Sequence, residues 1–155
     1  MILTAILKFL HLLGTVTWIG GMITINLVLM PALAAIDPPQ RGKMLGAALK
    51  RFMPLALGAI ALLLVSGVGV TLFGNLNLSH SMKILMGIKH LLVAVMVLVG
   101  LTVPFVLSPR LQKLAPAPGT PPSAAFLGTQ KLVGLLSMIN MILGIVVLAF
   151  SAVIK

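Results

Sequence analysis

The sequence predicts an all-α integral membrane protein, a four-helix bundle. Three observations carry that expectation. The chain has 155 residues, of which 60% are apolar and 8% charged, too few polar groups to cover a soluble surface. Its apolar residues fall into four long runs separated by short polar or Pro/Gly-rich stretches. Each run reaches the ~20 residues that a helix needs to cross a bilayer. The length allows one domain, read as residues 1–155.

The first helix is expected over about 3–35, longer than a span requires and hence tilted or protruding. It is too long for a signal-peptide core and is read as a retained helix. Ile36-Asp37-Pro38-Pro39 ends it, because two prolines cannot continue a helix. Gln40 to Arg51 reads as a basic, partly helical connector. Helix two follows over about 51–72, with Pro54 in its first turn, where the missing N–H costs nothing. Gly74 to His80 has turn chemistry. Helix three is expected over about 82–107, with a bend near Pro104. Ser108 to Pro122, with APAPGTPP at its centre, reads as an extended loop, and helix four as about 123–154. No tandem repeat is evident.

The net charge of +10 is no nucleic-acid footprint, since the cations lie in short connectors and no aromatics interleave them. Counting Lys and Arg gives the orientation. Arg41, Lys43, Lys50, Arg51, Arg110, Lys113 and Lys131 flank one face; Lys8, Lys83 and Lys155 flank the other. The richer face is expected inside, which places both termini outside. The absence of cysteine excludes disulfides, thiolate metal sites, iron–sulfur clusters and covalent haem attachment. With Asp37 as the one acid, carboxylate acid–base chemistry is excluded as well.

Chemistry centres on two histidines inside apolar runs, His11 on helix one and His90 on helix three. An imidazole in lipid needs a partner or a task. Both helices run in the same direction, and both histidines lie in the half near the outer face. On helix one, Leu7, His11, Gly14, Trp18, Gly21 and Ile25 share a stripe, and the two glycines leave a recess beside the Trp. On helix three, Lys83, Met86, Gly87, His90, Ala94 and Val97 form the corresponding face. Helix four offers Gly134, Ser137, Asn140, Met141, Gly144 and Ser151 as a small, polar seam.

The leading expectation is a membrane haem b protein. His11 and His90 would be axial iron ligands, Lys8, Lys83 or Lys89 would meet the propionates, and Gly14, Trp18, Gly21 and Gly87 would line the ring. Two imidazoles saturate the iron, which implies electron transfer, with quinol or an outer-face redox protein as partner. A membrane oxidoreductase activity is left open. The alternative is copper. Its ligands would be His11, His90, Met82 and Met86; Met82, Met86 and His90 stand four residues apart, and thioether with imidazole suits the reduced metal. A third reading is a structural or assembly subunit whose histidines only bond helices. Glycines also pack membrane helices without any cofactor, and the plain role of Trp18 is packing.

Three segments carry a family resemblance: LKFLHLLGTVTWIGGMITINLVLMPAL, LKRFMPLALGAIALLLVSGVGVTL, and MKILMGIKHLLVAVMVLVG with SPRL after it. They resemble the membrane domain of the copper-resistance D (CopD) family and, more weakly, the HemJ-type membrane proteins. The resemblance runs from Leu7 to Leu111. It rests most on His11 with Trp18-Ile19-Gly20-Gly21, on Arg51-Phe52 and on Lys89; the fourth run shares only apolarity. It implies a multi-pass protein of a prokaryotic plasma (inner) membrane and an association with copper. From the HemJ-like side it implies b-type haem near His11, Lys89 and His90. The larger copper-family members have more helices, so a homodimer would restore their helix count.

Overall fold

The computed structural model describes residues 2–73, 79–117 and 119–153. Four helices are long and apolar enough to cross a membrane: α1 (Ile2–Ala34), α2 (Pro38–Phe73), α3 (His80–Lys113) and α4 (Ala124–Val153). No strand occurs among the described residues. The chain divides into two compact units, Met1–Ser81 with α1 and α2, and Met82–Lys155 with nearly all of α3 and with α4.

The connector expected over Gln40–Arg51 is not a separate element. It continues α2 as one helix from Pro38, because Pro38 and Pro39 occupy a first turn whose N–H groups have no helical partner anyway. The loop expected over 74–80 falls mostly outside the described residues, and His80 already opens α3. Of the extended 108–122 loop, Ser108–Lys113 is helical and completes α3. The remainder holds a tight turn at Gly119, whose φ of 83° suits a residue without Cβ. Ser123 then caps α4, its Oγ accepting the Phe126 N–H at 3.2 Å.

Neither α1 nor α3 is regular throughout. In α1 the turn Thr24–Leu29 is π-helical, and the Met30 N–H reaches five residues back to the Ile25 carbonyl. In α3 the turn Val103–Leu107 is π-helical, and the Ser108 N–H reaches five back to Val103. A proline follows each donor, Pro31 and Pro109. Proline lacks an N–H, and its ring collides with the carbonyl four residues earlier. Widening the preceding turn relieves that collision without breaking the helix. Side chains return to the loosened backbone: Asn26 Nδ2 donates to the Met22 carbonyl at 2.9 Å, and Ser108 Oγ donates to the Val103 carbonyl at 3.0 Å.

In the first unit, α1 and α2 pack antiparallel along most of their length. The inward stripe of α1 is the one its sequence spacing defines: Leu7, His11, Gly14, Trp18, Gly21 and Ile25 are all buried or half-buried. From α2 it meets Ala56, Ala59, Ile60 and Ser66, all buried. In the second unit, the π turn of α3 and the helical turn after it pack against α4. The seam of α4 consists of Thr129, Asn140, Met141, Gly144 and Val147, with Ser137 half-buried. Gly134 and Ser151, expected in that seam, face outward.

Candidate functional site

The polar centre of the first unit is His11. Its Nδ1 lies 3.0 Å from Ser66 Oγ on α2. Ser66 is 1% exposed, and its hydroxyl donates to the Leu62 carbonyl one turn earlier. A serine has one proton to give, so with that proton on Leu62 the hydroxyl oxygen can accept from His11 Nδ1–H. The contact ties the His11 ring to α2 through Nδ1. Hydrogen bonds of this kind orient metal-ligating imidazoles in general.

Small residues bring the two backbones together around this pair. A Cβ on Gly67 would sit 3.4 Å from His11 Cε1. One on Gly14 would stand 3.0 Å from the Ala59 carbonyl oxygen and 3.0 Å from Leu63 Cγ. At Gly21 a Cβ would fall inside the Phe52 ring. Trp18, between Gly14 and Gly21 along the stripe, is 3% exposed. Within this unit Leu63 stands against Gly14 and the Phe52 ring against Gly21. Lys8 is exposed.

On α3 the candidates divide between two faces. Met82 and Met86 are half-buried, and so is Lys89; Lys83, Gly87, His90 and Ala94 are exposed. Helix geometry gives the reason. Steps of four residues drift by about 40° each, so His90 stands roughly 80° round from Met82. A step of seven drifts by only about 20°, which leaves Lys89 on the half-buried stripe that runs through Met96, 1% exposed. A Cβ on Gly87 would meet nothing within 4 Å, so this glycine makes no close approach. No group of three or more His, Cys, Asp or Glu side chains that could hold a metal occurs among the described residues. The donors available are soft thioethers and imidazoles.

Ser66 and Phe52 are the residues that sequence reasoning passed over as site elements. Ser66 carried a signal, being a lone hydroxyl followed by glycine deep in the apolar run ALLLVSGVGV. Phe52 entered only as part of a motif, since the sequence does not show which α1 residue it faces.

Comparison with known proteins gives one family. The model of copper resistance protein D matches residues 46–154, more than half of the chain, and the chain belongs to that family. No curated protein matches significantly, and no solved structure does. The matched segment differs in extent from the resemblance read in the sequence. It takes in α3 and the whole of α4, which had resembled the family only by apolarity, and it leaves out α1. Lys83, Met82, Met86, Gly87, Lys89 and His90 lie inside the match; Lys8, His11, Gly14, Trp18 and Gly21 lie outside it. The protein is a multi-pass membrane protein with four candidate spans.

Proposed function

We propose that the chain is a copper-handling membrane protein, with copper as cargo and not as a resident redox centre. The observation that carries this reading is the family match over α2 to α4. The side chains agree with it in kind. Met82 and Met86 lie one turn apart on the half-buried stripe of α3, while His90 is exposed on a neighbouring face. Thioether and imidazole are the ligands that select reduced copper, and hard carboxylate competitors are absent because Asp37 is the chain's one acid. His11 adds an imidazole that Ser66 holds through Nδ1.

The family match favours copper over the bis-His haem expectation, and we carry copper forward. Quinol, an outer-face redox partner and a homodimer belong to the haem and transport-path expectations and are not needed here. The Met pair of the second unit offers the soft ion low coordination.

The test is metal content. Protein purified after exposure to cuprous ion is expected to be colourless and to hold copper in stoichiometric amount by elemental analysis. Met82→Ala with Met86→Ala should remove most of it. Ser66→Ala should weaken binding ~10-fold or more, as loss of a ligand-orienting partner does elsewhere. A red preparation with a Soret band that His11→Ala abolishes would replace copper with haem. Metal-free, colourless protein would leave a structural role.

A further inference from the structure

The start of α2 carries an exposed cationic face. Pro38–Phe73 is α-helical throughout, so helical phase orders its side chains around the axis. Arg41, Leu45, Ala48 and Phe52, spaced by four, three and four, are half-buried and form the face turned toward the protein. Lys43 and Lys50 lie roughly 180° round from that stripe, and both are exposed. Seven residues separate them, a drift of only about 20° and an axial rise of about 10 Å. Arg51, also exposed, adjoins Lys50. Between the two lysines the helix is bare. Gly46 and Ala47 are exposed there, and a Cβ on Gly46 would meet nothing within 4 Å. Helical side chains lean toward the N-terminus, so Lys50 and Arg51 reach back over the turn that holds these two residues. The outcome is a shelf of small residues with cations at both ends. No carboxylate on α2 neutralises them, since the chain's one acid, Asp37, precedes the helix.

The same face changes character along the helix. In phase with Lys43 and Lys50 follow Pro54, Gly58, Ala61 and Val65, all exposed and all apolar. A Cβ on Gly58 would meet nothing within 4 Å, so this stretch is open as well. Charge gives the level at which the change occurs. From Phe52 to Phe73 there is no charged residue, and these 22 residues extend about 33 Å, close to the ~30 Å of the hydrocarbon layer. Outward-facing Lys50 and Arg51 would be costly among lipid tails, so the layer begins after Arg51. Their charged ends lean away from it, into the headgroup layer.

We propose that this face of α2 binds an anionic phospholipid, with the phosphate on the Gly46–Ala47 shelf among Lys43, Lys50 and Arg51 and an acyl chain along Pro54, Gly58 and Ala61. The order of cations, shelf and open apolar stretch along one side of one helix is the order of charge and hydrocarbon in a lipid. A nucleic acid or an acidic peptide matches the cations and leaves the apolar stretch uncovered. A second copy of this chain brings the same cations to the face and repels it. The inference does not depend on the copper reading.

The test titrates the full chain in detergent micelles with phosphatidylglycerol or with phosphatidylcholine and counts the retained lipid by native mass spectrometry. Saturable retention of phosphatidylglycerol, about tenfold or more tighter than phosphatidylcholine, is expected. Lys43→Gln, Lys50→Gln and Arg51→Gln combined should abolish that preference. Gly46→Leu keeps every charge but fills the shelf, and should weaken phosphatidylglycerol binding by roughly fivefold, about the effect of removing one cation. Arg110→Gln with Lys113→Gln removes two cations on α3 and should leave binding unchanged. Wild-type circular dichroism and Trp18 emission in each variant show that the helices are folded. Equal retention of the two lipids would overturn the proposal. So would wild-type binding by Gly46→Leu, or an equal loss in the α3 variant, since both indicate diffuse attraction without a site. Displacement of the lipid by inorganic phosphate at equal concentration would overturn it in favour of a free phosphate. Binding of a Glu-rich peptide in zwitterionic nanodiscs, lost in the triple variant, would overturn it in favour of a soluble partner.

Discussion

Val28-Leu29-Met30-Pro31-Ala32-Leu33 in α1 and Val106-Leu107-Ser108-Pro109-Arg110-Leu111 in α3 differ at two positions and carry the same π turn. Measured back from each proline, the two helices stay in step. A buried large side chain lies thirteen positions earlier in both, Trp18 at 3% and Met96 at 1% exposure. Seven positions before Pro31 and Pro109 stand Thr24 and Thr102, each donating to the carbonyl four residues behind it. Twenty positions before them stand His11 and Lys89, both half-buried. The units diverge at the positions of Gly14 and Gly21, where α3 has Leu92 and Val99. One unit draws two backbones close around a polar pair; the other fills the same stripe with side-chain volume. Backbone plan and side-chain chemistry are thus separable here, and the comparison can be pressed experimentally.

The largest difference is expected at Gly21. Gly21→Ala places a methyl where the Phe52 ring lies, and the ring must swing out of its seat. Overpacking of this kind costs about 1–3 kcal/mol. At the matching position, Val99→Ala only trims a half-buried side chain and should cost about 1 kcal/mol or less. Trp18 is the single tryptophan and lies inside the first unit, so its emission during reversible unfolding in mixed micelles reads that unit directly. Adding Phe52→Leu to Gly21→Ala should recover part of the loss. If Gly21→Ala unfolds at the wild-type point, close approach is not what holds the first unit together.

Next comes the polar position twenty residues before each proline. Ser66→Ala leaves His11 Nδ1 without its acceptor on α2. Interhelical hydrogen bonds in membranes average about 0.6 kcal/mol and reach about 1.7, and the upper part of that range is expected for a fully buried hydroxyl. Lys89→Met should act with the opposite sign. It replaces a half-buried cation with an apolar chain of similar length and should stabilise the protein by up to about 1 kcal/mol. Thermal scans by circular dichroism compare the two. Destabilisation by both would mean that Lys89, like His11, has a partner that holds its unit together.

Much of this was legible in the sequence because it depends on chain-local physics. Four apolar runs give four helices, and the spacing from Leu7 to Ile25 gives the inward stripe of α1, since helical period alone decides both. The start of α2 was not legible. Gln40 to Arg51 is polar, and polarity by itself says nothing against helix. His90 was misjudged as a stripe neighbour of Met82 for a geometric reason: two steps of four drift too far for one face to hold all three. The π turns were hidden for another reason. A proline announces a disturbed turn, but whether the helix kinks, breaks or widens depends on how the freed carbonyls are met. Ser66 was legible and passed over, because helix two was read for length and caps rather than for isolated polar groups.

The smallest effect is expected at the ends of the two helices. Arg41 donates to the carbonyls of Ala34 and Ile36, where the orphan acceptors of α1 gather. A cation at a helix C-terminus is worth about 0.3–1 kcal/mol. Arg41 gives up part of that gain, because its Nε is buried with no hydrogen-bond partner among the described residues. Arg41→Ala is therefore expected to cost about 0.5 kcal/mol, near the bottom of that range. At the end of α3, Arg110 and Lys113 sit inside the last turn itself, and both are exposed. They act on the helix dipole from within, so either one replaced by Ala should shift stability less than Arg41→Ala does. Hydrogen exchange resolves what global unfolding cannot. Faster exchange confined to Ala35 and Ile36 in Arg41→Ala, where backbone N–H groups bond back to Ala32 and Leu33, would locate the effect at the cap. Uniform acceleration through α2 would show instead that Arg41 supports the whole start of α2.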